Sequence, residues 1–421
     1  MLDYIKAGGV GPARTLSLDF AERFNVFTGD NGLGKSFLLD LSWWALTRTW
    51  AGPMVLPEPG VKAQIEYRIK GKTGAADPVL SAFRPEESAW PLDAKRPPMP
   101  GIVIYIRIDG GFSVWDPARN YWRKDPERPA AYNFNSDDVW YGQGPKDKPV
   151  SEGLERDWVN WQLGKSEQFE ALDRVLEVLS PEGERIRAGK PRRILVGEGR
   201  DRPTLRIGSE EVPVAFASAG MRRVLALAYF LVWSWTEHRA AATLLGKKAE
   251  NRFVIIFDEP ETHLHPRWQR SILPSLAAAI DVLTDQKDSA AQFVVATHSP
   301  LVVASLEPLF DPKKDDLILL ERGKDGATIN QDRWAPQGDV SNWLVSDTFG
   351  LEQARSREAE RVIEAAEAFM RGETGFLPPA LATQESIHVA LKKLLPAHDS
   401  FWPRWIVVTG QLPGSAAKDS R

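Results

Sequence analysis

Apolar residues along this chain follow two rhythms, and their alternation outlines a fold before any motif is considered. Residues 4–6 and 16–20 read as two short strands, and residues 24–28 as a third that runs into a glycine-rich turn. Behind the turn, residues 35–49 carry leucines and tryptophans at helical spacing. Far downstream a long apolar helix begins at Ser218. Two unbroken apolar runs follow, 253–257 and 293–296, separated by a helix over 266–283, and another run lies at 317–320. β-Branched and aromatic runs without polar interruption, alternating with helices, predict a parallel sheet covered on both faces.

The middle of the chain has a different texture. Residues 51–150 are rich in proline, with short alternating runs at 64–69 and 102–108 and an aromatic, polar stretch over 112–141. This reads as an inserted, mainly β segment. Residues 151–180 return to helical spacing through Trp158, Trp161, Phe169, Leu172, Val175, Leu176 and Leu179. A Pro/Gly/Arg-rich connection, 181–193, then leads to two short strands. The expected division is a main lobe in two parts, 1–60 and 195–345, a β-rich and helical insert over 61–194, and a helical region over 346–421 with amphipathic helices at 351–372 and 384–395. Neither an internal repeat nor a sustained heptad is present.

Composition narrows the class. The 421 residues are 43% hydrophobic and 26% charged, enough for one large core or two moderate ones, and a net charge of −4 does not advertise a strongly basic nucleic-acid binder. With no cysteine, disulfides and thiolate metal sites are excluded. Residues 1–10 carry no apolar signal core, and the most apolar stretch, 224–235, is shorter than the roughly 20 residues a spanning helix needs. A cytoplasmic protein with no membrane contact is the expectation. Sixteen tryptophans cluster along the chain, at Trp43, Trp44 and Trp50, at Trp115, Trp122 and Trp140, and at Trp233 and Trp235, and core packing accounts for most of them.

Four short strings carry chemistry. Gly29-Asp30-Asn31-Gly32-Leu33-Gly34-Lys35-Ser36 matches G-x-x-x-x-G-K-[ST] between a strand and a helix. Its glycines let successive backbone N–H groups wrap a β-phosphate, with Asp30, Asn31, Gly32, Gly34 and Phe37 in contact with the nucleotide. Lys35 reaches the β and γ phosphates and Ser36 supplies a magnesium ligand. Asp258 and Glu259 end the run 253–257, one to hold Mg²⁺ and the other to polarise an attacking water. Ser218 and Gly220 open the long helix, where an N-terminus favours a phosphate. His298 ends the run 293–296 and would face a γ-phosphate.

In this order, the four strings resemble those of the ABC-type ATPases, and more narrowly the RecF/SMC/OLD-like branch found in DNA-repair and anti-phage defence ATPases. The resemblance implies an α/β, ABC-type P-loop NTPase head, its mixed sheet covered by helices, with ATP and Mg²⁺ as ligands. Residues 28–36 would be its Walker A loop, 217–221 its signature, 254–259 its Walker B strand and His298 its switch histidine. It also implies that Ser218 and Gly220 of one copy bind the γ-phosphate held by Lys35 of another, in an ATP-dependent homodimer or a higher even-numbered homo-oligomer.

This chain departs from the pattern at Ala219, where the signature has glycine, and at Met221, where it has a polar residue. The glutamine that completes the magnesium site in relatives has three candidates, Gln64, Gln143 and Gln162, of which Gln162 is preferred. Arg14 is either a nucleotide contact or a surface arginine. The basic residues Arg185, Arg187, Lys190, Arg192 and Arg193 either track a phosphate backbone or form a solvated loop. OLD-type relatives carry a toprim nuclease, whereas no Asp-x-Asp occurs in this sequence. The expected role is therefore a sensor or regulatory switch of a defence complex with a separately encoded effector, such as a nuclease. A DNA-binding repair ATPase is the alternative. The whole reading requires that the glycine loop and the acid pair lie on neighbouring strands and grip one triphosphate.

Overall fold

The computed structural model describes residues 1–410 apart from 72–73, 76, 92–97, 121–128, 146, 288–289, 325 and 333, so Trp122 lies outside the described residues. The chain divides into two units, Met1–Trp343 and Leu344–Arg421. The first opens with β1 (Leu2–Gly8), β2 (Thr15–Asp19), β3 (Phe24–Gly29) and helix α1 (Lys35–Thr47), close to the expected bounds. Next come β4 (Gln64–Gly71), β5 (Gly74–Ala75) and β6 (Val79–Ala82), which build a small antiparallel sheet on β1 and β2. Strands β7 (Ile102–Ile106), β8 (Phe112–Trp115) and β9 (Tyr132–Phe134) precede helices α2 (Ser136–Tyr141), α3 (Leu154–Gly164) and α4 (Glu167–Leu179).

A three-stranded sheet of β10 (Ile186–Ala188), β11 (Thr204–Ile207) and β12 (Glu210–Pro213) leads into the long helix α5 (Ala219–Leu244). The remainder of the unit holds β13 (Phe253–Asp258), α6 (Pro266–Gln269), α7 (Ile272–Thr284), β14 (Ala291–Ala296), α8 (Pro300–Ala304), β15 (Asp316–Gly323) and β16 (Gly326–Asp332). Eight strands form the central sheet in the order β16-β15-β3-β14-β13-β7-β8-β9. The inner run from β15 to β7 is parallel, and β16, β8 and β9 add antiparallel edges, so the sheet is mixed.

Side chains alternate across this sheet as a two-sided burial requires. Val103, Tyr105, Val254, Ile256, Val294, Ala296, Ile318 and Leu320 join Leu38, Leu39, Trp43 and Trp44 of α1 in one core. The other face is met by α5. Its Phe230 stacks on Phe112 with ring centroids 4.5 Å apart, and Trp235 lies 5.9 Å from Phe253.

Two expectations change. The segment 61–194 is not wholly an insert, because β4 pairs with β1 and β7 pairs in parallel with β13, deep in the central sheet. Strand β7 is five consecutive buried residues, the same unbroken apolar pattern as β13, where an alternating strand of an insert was expected. Nor are the glycine loop and the acid pair on neighbouring strands: β14 pairs with both β3 and β13 and lies between them.

In the second unit, helices Arg357–Met370 and Gln384–Leu394 match the amphipathic segments, and a third, Trp402–Thr409, was not anticipated. They share a small core of Val362, Ile363, Ala366, Ile387, Leu391, Trp402 and Trp405. Among the described residues, no helix is long and apolar enough to cross a membrane.

Candidate functional site

Because β3, β14 and β13 run in parallel, their C-terminal ends deliver the glycine loop, His298 and the Asp258-Glu259 pair to one edge of the sheet. The edge is stitched together by main-chain bonds: the Thr297 N–H donates to the Phe27 carbonyl and the Glu259 N–H to the Ala296 carbonyl, each at 2.9 Å. Strand β14 thus acts as a spacer that brings His298 to the same edge.

The loop from Gly29 to Ser36 turns into α1 through Gly34, the helix N-cap, at φ 92°. A Cβ there would stand 2.3 Å from Pro12 Cγ, in a backbone region that L side chains rarely adopt, so only glycine fits. Asp30, Asn31, Gly32 and Ser36 are exposed at this end, whereas Lys35 is 7% exposed. The Lys35 ammonium curls back to donate to the Gly29 and Asp30 carbonyls, both at 2.8 Å. Phe37 packs its ring against Gly11.

Electrostatics bind the dispersed strings into one site. Burial lowers the Lys35 pKa, and the carboxylates of Glu259, Asp30 and Asp258 oppose that effect, which requires all three to be near the ammonium. Burial raises the Asp258 carboxyl above the usual range, and a hydrogen bond with the Ser36 side chain pulls it back. A hydroxyl and a carboxylate close enough to interact, beside a lysine, form a hard oxygen donor set of the kind Mg²⁺ prefers. His298 is pushed toward its neutral form by burial and then by Lys35, and its Nε2 lies 4.0 Å from Glu259 Oε1.

Glu259 adopts φ 46°, a left-handed conformation that costs a non-glycine residue about 1 kcal/mol or more. Arg223 of α5 braces it, its Nη2 donating to the carbonyls of Asp258 at 3.1 Å and Glu259 at 3.3 Å. Sequence reasoning missed Arg223. The available signal was an arginine directly before the apolar run 224–233, where a buried guanidinium needs acceptors.

Ser218 caps α5, its Oγ accepting the Met221 N–H at 3.3 Å, and it is exposed. Gly220 abuts the His263 carbonyl in the turn after β13. The helix start therefore sits on the β13 side of the edge. Gln162 is not brought to the site: it lies on α3, and its amide Nε2 donates to the Gly189 carbonyl at 2.8 Å. Gln143 is likewise committed, to Asn133 and Asp138. The strand beside β13 is β7, and the residue that follows it is Arg107, bonded to Asp109, Ser113 and the carbonyls of Ala51 and Phe134. Of the basic connection, Arg185 pairs with Glu177, Arg193 with Asp201, and Arg192 donates to the Glu211 carbonyl.

Residues 208–304 match a family model described as an AAA domain, putative AbiEii toxin, Type IV TA system. Over 118 residues the chain is 29% identical to the probable ATPase of retron Ec83 from Escherichia coli, covering 26% of this chain and 18% of that protein. Over 99 residues it is 34% identical to the Septu protein PtuA of Bacillus mycoides (strain KBAB4), covering 23% of this chain and 12% of that one. The chain thus spans less than a fifth of the length of these curated relatives. The SMC head domain from Thermotoga maritima aligns over 79% of this chain and 99% of its own at 15% identity, with a TM-score of 0.40. The matched segment holds Ser218, Gly220, Asp258, Glu259 and His298. With the glycine loop delivered to the same edge, the chain is similar to the ABC-type ATPase heads of the RecF/SMC/OLD-like branch.

Proposed function

We propose that this protein binds and hydrolyses ATP between two copies of itself and uses the cycle as the regulatory switch of an anti-phage defence complex with a separately encoded effector. The observation that supports it best is the delivery of the glycine loop, His298 and the Asp258-Glu259 pair to one sheet edge, where the carboxylates of Glu259, Asp30 and Asp258 act on Lys35. Mg²⁺ held by Ser36 and Asp258 would neutralise charge on the β and γ phosphates. Lys35 and the loop amides orient the triphosphate, Glu259 accepts a proton from the attacking water, and His298 faces the γ-phosphate.

Within one chain, β3 and β13 stand two strand spacings apart, roughly 10 Å, and the start of α5 lies beyond β13. Exposed Ser218 and half-buried Gly220 are therefore better placed to serve the loop of a second copy than their own. The defence role rests on the likeness to the retron Ec83 ATPase and to PtuA. A DNA-clamping role has less support, since three arginines of the basic connection are engaged within the chain.

The test is a pair of substitutions. Lys35→Ala abolishes ATP binding, and Glu259→Gln accumulates an ATP-bound dimer seen by light scattering. A protein that stays monomeric under saturating ATP in the Glu259→Gln form overturns the shared site.

A further inference from the structure

Glu261 lies in the turn after β13, close to the reacting groups but outside the roles assigned above. Its largely buried carboxylate spends one oxygen on each member of the next strand's end. Oε2 accepts the Thr297 hydroxyl at 2.8 Å, and Oε1 accepts the His298 main-chain N–H at 2.7 Å. The neighbouring amide, that of Thr297, is held by β3 through the Phe27 carbonyl. The His298 amide instead finds its acceptor on a side chain from a different loop. Where Glu261 goes, the backbone that carries the imidazole must follow.

The same turn touches the start of α5. A Cβ on Gly220 would stand 2.4 Å from the His263 carbonyl, and His263 itself sits at φ 64°, so the helix start and the turn are in direct backbone contact. Thr262 donates its hydroxyl to Glu259 Oε2 at 3.3 Å. Three successive residues of the turn therefore reach Glu259, His298 and Gly220 at once. A displacement of the helix start has a short, bonded path to the imidazole.

We propose that Glu261 is a positioning residue for ATP hydrolysis, holding His298 against Glu259 in step with the start of α5. The proposal rests on the ATPase reading above. Two charge-assisted bonds of good length fix both the height and the rotation of the Thr297-His298 backbone, which a single bond would not. An apolar side chain at 261 would leave the His298 amide without a partner inside the site.

The experiment compares Glu261→Ala, Glu261→Gln, His298→Ala and the Glu261→Ala/His298→Ala double variant in the full chain, measuring KM and kcat for ATP and direct binding of a fluorescent ATP analogue. In Glu261→Ala, kcat is expected to fall at least about 10-fold while analogue affinity stays within about 2-fold of wild type. Glu261→Gln keeps a carbonyl acceptor for the His298 N–H and an amide donor for Thr297 Oγ1, so it recovers most of the rate. The double variant is expected to be no slower than His298→Ala alone, because one residue acts through the other.

Full multiplication of the two losses in the double variant overturns the proposal, as does an unchanged rate in Glu261→Ala. Parallel loss of analogue binding and rate in both Glu261 variants would mark a merely structural carboxylate, and also overturns it. A wild-type protein that binds the analogue and never hydrolyses ATP refutes the ATPase reading itself, a result distinct from a defect confined to the Glu261 variants.

Discussion

The imidazole Nε2 of His298 and the carboxylate Oε1 of Glu259 stand 4.0 Å apart, just outside hydrogen-bond reach. Neither group is consumed by the other, so both remain available to a γ-phosphate and its attacking water. Burial and Lys35 favour the neutral imidazole, which can donate one hydrogen bond to a phosphate oxygen without adding a competing charge to Lys35. His298→Ala is expected to lower single-turnover hydrolysis roughly 10²-fold, with ATP affinity retained. A matched loss of affinity would mean that the residue builds the pocket and does not assist the reaction.

Gly34 offers a test of the loop that is independent of charge. Gly34→Ala places a methyl group 2.3 Å from Pro12 Cγ at φ 92°, so either the loop or the 9–14 segment has to move. If the amides of this turn cradle the phosphates as proposed, ATP binding measured by titration should fall by an order of magnitude or more, roughly 1.4 kcal/mol per decade. The far-UV spectrum should stay that of wild type, because α1 keeps its buried face of Leu38, Leu39 and Trp43. Wild-type affinity in this variant would remove the loop from the site.

Much of this arrangement was legible from local pattern. The acid pair and the histidine follow unbroken apolar runs, the glycine loop follows a run interrupted only by Asn25 and Thr28, and a buried strand of a parallel sheet delivers the residues after it to the ligand edge. What stayed hidden was non-local. Nothing in residues 253–257 or 24–28 states that β14 pairs between them, because pairing order is decided by crossovers and not by the strands' own composition. Strand β7 was hidden by reading 102–108 as one alternating run, since polar Arg107 follows five buried residues that carry the same signal as β13. Gln162 was chosen from chain position alone, and its bond to Gly189 shows why a polar residue on a half-buried helix has ordinary work to do. Arg223 and Glu261 matter through acceptors and donors far away in sequence, which no window of neighbouring residues contains.

Gly220 separates binding from association. A methyl group at this position would meet the His263 carbonyl at 2.4 Å, a main-chain atom that cannot swing aside as a side chain would. Gly220→Ala therefore shifts the start of α5 or the turn after β13, without touching the glycine loop on β3. ATP affinity of the isolated chain should remain near wild type, while the ATP-dependent dimer trapped by Glu259→Gln should weaken, as read by light scattering of the double variant. An undiminished dimer would show that the α5 start takes no part in the contact between copies.

The long helix that carries Ser218 and Gly220 is anchored halfway along by a buried acid, and that anchor should make stability depend on pH. Tyr229 of α5 donates its hydroxyl to Asp157 of α3 at 2.6 Å, and the same hydroxyl meets Ser151 Oγ at 2.7 Å. Burial, against the opposing hydrogen bond and with the charges of Glu152 and Glu237 adding to it, raises Asp157 from 3.8 to about 6. The folded state thus holds this proton more tightly than the unfolded chain. The stabilising contribution is complete below pH 3.8 and is lost as pH rises through about 6. Asp157→Asn keeps an acceptor for Tyr229 and cannot ionise. Above pH 6 the variant should be more stable than wild type, on the order of 2 kcal/mol, and the advantage should shrink toward pH 4. Thermal melts of both proteins across that range measure it, and because Asp40, also raised to about 6, is common to the two, the difference isolates Asp157. A gap in Tm that ignores pH would mean the carboxylate is never strained by its burial, and the Tyr229 contact would then be an ordinary ionised hydrogen bond.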